Sequence, residues 1–446
     1  MEDPSCVVPG VCLPRRPVQR FIDPVARFLH VQSTSGIVLL AATAAALVLA
    51  NSPLAGPVFA FWKTPVGLKV GSFEFMHSLR HWINDGLMAV FFFVVGLEVK
   101  REIAVGELRE FRLAALPIAA ALGGMVVPAG IYLLLQGGGP AARGWGIPMA
   151  TDIAFVVGCL ALMGPRIPRG LRVLLLSLAI ADDLGAILVI AIGYTAEVHL
   201  LPLAGAAAGV ALILLLSRLG VRSLIVFVPV GAAVWLGVHE SGVHATIAGV
   251  ILGLITPARP LVGRRLLAGF LEATSAYMQG DDWKDSRRRY QLTVSLRRAA
   301  RETVSPLERI ETALHPWVSY TVMPLFAFAN AGVALEVGGF ADPVAVAVIA
   351  GLGVGKPVGI FLFSRLAVAA GLARLPEGVD WRMLFGGGVL AGIGFTMALF
   401  IAGLALGGAA LEAAKIGILS ASLACAICGM ALLHAFSPRS TPPAGA

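Results

Sequence analysis

"LSLAIADDLGAILVIAIGY", Leu176–Tyr194, sets two adjacent carboxylates, Asp182 and Asp183, inside an apolar run. The run begins near Val173 and ends near Tyr194, close to the roughly 20 residues that a helix needs to cross a bilayer. An Asp at the centre of such a helix costs about 2.5 to 3.5 kcal/mol on insertion scales, so the pair marks a working position. Neighbours on a helix lie about 100° apart, so the two carboxylates cannot face the same way. One can line a water-filled cavity while the other meets a partner within the protein.

Working outward, the 446 residues are 58% hydrophobic and only 13% charged, against roughly 25% charged in soluble domains. The long apolar runs predict an all-α polytopic membrane protein; a β-barrel would alternate over segments of about 10 residues. Twelve transmembrane helices are expected, near 36–51, 83–99, 113–135, 146–163, 173–194, 202–217, 223–238, 242–256, 316–335, 344–364, 384–406 and 413–435. Basic residues gather in alternate gaps: Lys100, Arg101, Arg109 and Arg112, then Arg166, Arg169 and Arg172, then Arg218 and Arg222. The other gaps hold few, namely Lys63, Lys69, Arg80, Arg143 and Lys415. With the basic side in the cytoplasm, both termini are cytoplasmic. The formal charge of +8 then reflects this bias, and nucleic acid is not an expected partner.

The expected layout is a cytoplasmic tail at 1–35, helices 1–8 over 36–256, a basic cytoplasmic loop at 257–315, helices 9–12 over 316–435 and a tail at 436–446. "MEDPSCVVPGVCLPRRPVQRF" lacks the apolar core and cleavage site of a secretory signal. Five cysteines suggest no disulfide framework, and Cys425 and Cys428, a CxxC in an apolar helix, read as packing residues. "VGLKVGSFEF" in the first external loop, near 62–76, alternates around Gly71-Ser72 and predicts a hairpin. Its edge either pairs with a second copy or merely closes the loop. The basic loop, with "WKDSRRRYQ" and "SLRRAARE", fits a surface helix against anionic lipid headgroups or a solvated linker. No Walker A or nucleotide fold is present to power transport by ATP, and neither cofactor nor enzymatic activity is expected.

Two spans read as interrupted. "GWGIPMATDIAFVVGC" has Pro148 beside Thr151-Asp152, and "FGGGVLAGIGFTMALF" has five glycines before Thr396. Each is the middle of a three-helix set, the third to fifth and the tenth to twelfth, and paired breaks of this kind mark a transporter site near the midplane. Asp152, Asp182 and Asp183, with Lys356 in "GLGVGKPVG" as the buried base, have no obvious route to the surface. A carboxylate–Lys pair follows. Half-helix ends carry roughly half an elementary charge, so Asp152 can balance paired N-termini and Lys356 paired C-termini. Asp183 is left to bind something. Carboxylate oxygens suit small hard cations, and a carboxyl taken out of water holds its proton more tightly, so Na⁺ and protons would compete for the same oxygens.

"WINDGLMAVFFFVVGLEVKRE", "ATDIAF", "AIADDLGAI", "SGVHATIAGV", "LHPWVSYTVMPLFAFANAGV", "GKPVGI" and "GIGFTMALFIA" closely resemble the NhaA family of bacterial sodium/proton antiporters. The resemblance implies twelve helices in inverted-topology repeats, an architecture known from this family itself, with crossing interrupted fourth and eleventh helices. It implies a homodimer in the inner membrane, joined partly through the external hairpin. It implies export of Na⁺ or Li⁺ against more than one proton, electrogenic and activated at alkaline pH. Asp183 and Asp182 become the ion-binding and proton-carrying pair, with Asp152, Thr151 and Lys356 in support. Glu98 and Glu102 resemble the family's pH-responsive region, or are a solvated helix end. Glu311 and His315 near the ninth span carry the same two readings, and His244 is a sensor or a packed histidine. Asp85 matches a family acid near the second span's external end, structural or ion-binding. The long N-terminal tail and enlarged basic loop depart from the pattern.

Two rivals use buried acids. A cation channel would ring a pore by symmetry, and an intramembrane aspartyl protease would set its two Asp on facing helices. Adjacent Asp182 and Asp183, pointing apart beside broken helices, fit neither.

Overall fold

Apolar segments at membrane depth must satisfy their own backbone N–H and C=O groups, and helix does this within one segment. The computed structural model describes residues 32–70, 73–106, 109–195, 198–279, 285–334 and 337–437. The chain runs α1 (Gln32–Ala50), α2 (Ala55–Lys63), β1 (Pro65–Val70), β2 (Phe73–Ser78), α3 (Leu79–Ala104) and α4 (Phe111–Gln136). A 3-10 segment, Pro140–Met149, precedes α5 (Ile153–Met163), α6 (Arg169–Gly193), α7 (Leu200–Arg218), α8 (Leu224–Glu240) and α9 (Thr246–Ile255). Then come α10 (Arg264–Gln279), α11 (Ser286–Glu302), α12 (Pro306–Trp317), α13 (Met323–Asn330) and α14 (Pro343–Ala369). The last are α15 (Trp381–Ala391), α16 (Phe395–Ala405) and α17 (Gly408–Phe436).

Among the described residues, seven helices are long and apolar enough to cross a membrane, or nine if each of two bent pairs is one span. Large apolar side chains such as Leu134, Ile192, Leu201 and Ile225 are more than four-fifths exposed on the outer surface. Such a surface suits lipid rather than water. The protein is a multi-pass membrane protein.

Several segments differ from the sequence expectation, for local reasons. Pro53 lacks a backbone donor, and after Ala50 the chain turns through 114° into α2. The helix expected from 316 begins at Pro306, where Ser305 and Glu308 form a reciprocal capping box, so Glu311 and His315 lie within α12. The basic loop holds two helices, α10 and α11, that pack on each other, and Arg222 pairs with Glu302 of α11 at 2.7 Å. Lys415, expected in a gap, lies inside α17 at 3% exposure with Nζ 3.0 Å from Glu412. Lys356 is therefore not the sole buried base. β1 and β2 pair antiparallel from Pro65↔Ser78 to Val70↔Phe73; the expected turn, Gly71-Ser72, lies outside the described residues.

Close helix crossings position the site. Without a hydrophobic drive between helices in lipid, small residues that let backbones approach supply the packing. α4 crosses α14 at Gly123 and Gly359, where a Cβ on either would stand 2.1 Å from the other's carbonyl oxygen. α6 is held between α4, α3, α5 and α15, so the Asp182-Asp183 pair faces helices on several sides. Gly359→Leu should destabilise the purified protein by about 1–3 kcal/mol, seen as a lower Tm in detergent. Gly130→Ala on α4, with open space at its Cβ, should leave Tm unchanged or slightly raised; equal Tm for both variants would remove the crossing from this account.

Candidate functional site

The site is built where two helical stretches stop in mid-course. The 3-10 segment ends at Met149, Ala150–Asp152 carry no helix, and α5 starts with Asp152 as its N-cap, Oδ1 accepting from Phe155 N at 3.0 Å. Opposite, α15 ends at Ala391 and α16 starts at Phe395, the two bent by 47°. Glycine is required between them: a Cβ at Gly392 would stand 2.6 Å from Leu352 O.

The two breaks are bonded to each other. Asp152 N donates to Ile393 O at 2.7 Å, and Thr151 Oγ1 lies 3.0 Å from Ala391 O. Thr396 N donates to Asp152 Oδ2 at 3.1 Å, and the Thr396 hydroxyl bonds the same oxygen. Asp152 thus receives N–H groups from the first turns of both α5 and α16, placing a carboxylate where two positive helix ends converge. Lys356 Nζ donates to Met149 O, the last carbonyl of the 3-10 segment, so a cation sits at a negative end.

Asp182 and Asp183 diverge as their spacing requires. Asp182 Oδ2 lies 2.6 Å from Lys356 Nζ and accepts from Thr151 Oγ1 at 2.6 Å, all three side chains being buried. Asp183 instead lines a cavity of about 530 Å³, and its Oδ1 is buried with no hydrogen-bond partner. Thr151, Asp152 and Ser177 share the wall around it. The same lining carries Glu98, Arg101, Glu102, Glu311 and His315. Arg101, 46% exposed, pairs with Glu311, and Ser177 Oγ donates to Glu102 at 3.3 Å. The cavity therefore connects a charged, partly exposed rim to a buried carboxylate.

Of the residues singled out from sequence, Asp183, Asp152, Thr151, Glu98, Glu102, Glu311 and His315 share this cavity, and Asp182 and Lys356 stand behind its wall. His244 lies elsewhere, with Nε2 2.9 Å from Tyr194 O. Asp85 is remote too, near His81 and His239. Sequence reasoning passed over Thr396 as a site residue, and counted Arg101 only as part of a basic cluster. Thr396 had a signal, since it follows the Gly-rich break much as Thr151 precedes Asp152.

The arrangement can hold a small cation on carboxylate and hydroxyl oxygens while protons leave the same atoms. Known proteins agree with the class. The sequence profile of the Na+/H+ antiporter 1 family matches residues 26–433. The chain is 54% identical over 429 residues to a Na(+)/H(+) antiporter NhaA of Rhodopirellula baltica, covering 96% of this chain and 98% of that protein. It is 51% identical to the Na(+)/H(+) antiporter NhaA of Rhizobium meliloti, with 96% and 98% covered. It is 50% identical to Na(+)/H(+) antiporter NhaA 2 of Acidiphilium cryptum, with 96% and 95% covered. With a match of this extent, the chain belongs to the Na+/H+ antiporter 1 family.

Proposed function

We propose that the chain is a secondary antiporter that exports Na⁺ or Li⁺ across the bacterial inner membrane in exchange for protons. One observation carries the reading: Asp183 stands buried at a cavity wall with an unpartnered oxygen, while its neighbour Asp182 is held by Lys356. A channel would need a path past this point, and a protease would need two carboxylates facing one substrate. Neither matches carboxylates that diverge.

In this reading α1, α3, α4, the 3-10 segment with α5, α6, α7, α8, α9, α12 with α13, α14, α15 with α16, and α17 are twelve spans. The fourth and eleventh are the interrupted pair of two inverted repeats. The charged rim faces the cytoplasm, as do both termini, and the hairpin joins two copies outside. Na⁺ entering from the rim meets Asp183, whose proton leaves by the same cavity. Partial attraction of Asp182 to the incoming charge loosens its pair with Lys356, which then releases a second proton. Two protons in for one Na⁺ out moves one net charge per cycle, so exchange is electrogenic. Glu98, Glu102, Glu311 and His315 at the rim tune the response to pH.

Asp183→Asn should abolish Na⁺-dependent dissipation of an imposed proton gradient in proteoliposomes, with Tm close to the parent's. Near-normal exchange by the folded variant would sink the assignment. Asp182→Asn should cripple exchange and also lower Tm, because it leaves Lys356 buried without its counter-ion, a loss of about 3–5 kcal/mol.

Activity should fall on acidification, since protons refill the carboxylates. By linkage, with two protons displaced per cation, a tenfold rise in Na⁺ should move the acid limb down by about half a pH unit. A limb that stays fixed at saturating Na⁺ would instead assign the pH response to the rim residues.

Lys356→Arg keeps the charge but cannot give up its proton. It should therefore reduce the charge moved per Na⁺, read as membrane potential in proteoliposomes, and Lys356→Gln should do the same. Unchanged electrogenic exchange in both variants would reduce Lys356 to a fixed charge.

A further inference from the structure

Away from the carboxylate cavity, at the end of the molecule that bears the hairpin, three imidazoles from three elements converge. His77 comes from β2, His81 from the start of α3 and His239 from the last turn of α8. Their ring centroids lie 4.3 Å (His77–His81), 5.3 Å (His77–His239) and 5.5 Å (His81–His239) apart. One ring nitrogen of each falls within 4.8 Å of the others. Asp85 Oδ2 stands 3.4 Å from His81 Nε2 and 3.6 Å from His239 Nδ1. Among the described residues no other group of three or more His, Cys, Asp or Glu side chains converges in this way.

Three imidazoles beside one carboxylate are a nitrogen-rich donor set, unlike the oxygen donors around Asp183. Imidazole suits zinc-class ions and not Na⁺, so this cluster is chemically separate from the transport cavity. Tetrahedral zinc bonds of 2.0–2.1 Å imply nitrogens roughly 3.4 Å apart. Reaching that from 4.8 Å needs a shift of about 1.4 Å at most, within the reach of rotating side chains that are only partly buried. The surroundings steady two of the rings. Trp235 stacks on His239 at 5.6 Å, Trp82 stacks on Trp235 at 6.3 Å, and His81 follows the Ser78 cap that starts α3. Asp85, beside His81 and His239, adds the negative charge a divalent ion prefers.

We propose that His77, His81 and His239 form a binding site for a zinc-class divalent transition-metal ion, with Asp85 beside it, that ties the hairpin to α3 and α8. The ion would link β2, which among the described residues pairs with β1 alone, to two helices, and so stiffen the end of the molecule from which the hairpin projects.

The test is Co²⁺ titration of purified protein free of any polyhistidine tag, followed by the visible d–d absorption of low-symmetry cobalt. One equivalent should bind, Zn²⁺ should displace it, and Zn²⁺ should raise Tm. Binding should weaken below about pH 6.5 as imidazoles take up protons. His239→Gln and His77→Gln should each weaken Co²⁺ binding at least tenfold and cancel the Zn²⁺-induced rise in Tm, while Na⁺/H⁺ exchange without metal persists. His77→Gln, on the hairpin, keeps the test sound if the helical variant folds poorly. No stoichiometric uptake by the parent, or uptake unchanged in both variants, would overturn the site; the first leaves the cluster as a stacked histidine network and the second marks adventitious metal only.

Discussion

A helix stopped inside a membrane leaves N–H and C=O groups with no water to bond, each worth several kcal/mol if orphaned. Where two helical stretches of this chain stop, their ends are tied together. The bonds from Asp152 N to Ile393 O and from Thr396 N to Asp152 Oδ2 give one break's backbone to the other. Asp152 then stands against two helix N-termini, and Lys356 against the carbonyl end at Met149. Each side chain thus faces backbone groups that suit its charged form, and Lys356 meets Asp182 as well. Every other feature of the site hangs on this junction, since it sets where Thr151 points and what Asp182 meets.

Thr151 stands between two acceptors. Its hydroxyl has one proton, yet Asp182 Oδ2 at 2.6 Å and Ala391 O at 3.0 Å are both acceptors when Asp182 is ionised. Only one can receive it. If Asp182 carries a proton, it donates to Thr151 and Thr151 donates to Ala391, and both bonds form. The state of Asp182 therefore selects which way Thr151 leans, and Thr151 also lines the cavity beside Asp183. This one hydroxyl thus stands between the Asp182–Lys356 pair and the cavity that Asp183 lines.

Much of this was legible in the sequence. The 100° helical step alone separates Asp182 from Asp183, and the pattern of Pro148 and the glycines at 386–394 marks the stops. A carboxylate–lysine pair was expected from taking Lys356 as the one buried base, and the 2.6 Å contact shows that Asp182 is its member. Thr396 was not legible as a partner of Asp152, because its distance of 244 residues is closed only by the junction itself. Arg101 reads as a cytoplasmic lysine-arginine cluster member until α12 brings Glu311 to it. The start of α12 at Pro306 was hidden by the polar composition of its first turns, although Ser305 and Glu308 spell a capping box. Lys415 escaped for the opposite reason: a lone cation ahead of an apolar run reads as a loop residue, and only packing buries it.

The crossing of α4 and α14 joins the constraint on packing to the constraint on charge. Gly359 lies one turn from Lys356 on α14, and Gly124, next to Gly123 on α4, would carry a Cβ 3.7 Å from Lys356 Cε. The backbone contact at Gly123–Gly359 thus brings α4 against the lysine's hydrocarbon stem and leaves its ammonium one direction to go, towards Asp182 and Met149. A lysine so confined cannot follow its partner if Asp182 turns. Asp183, by contrast, faces open volume. The same helix, α6, therefore carries one carboxylate whose counter-ion is set by close packing and one that lines a cavity, an asymmetry between two neighbouring acids of one chemical kind.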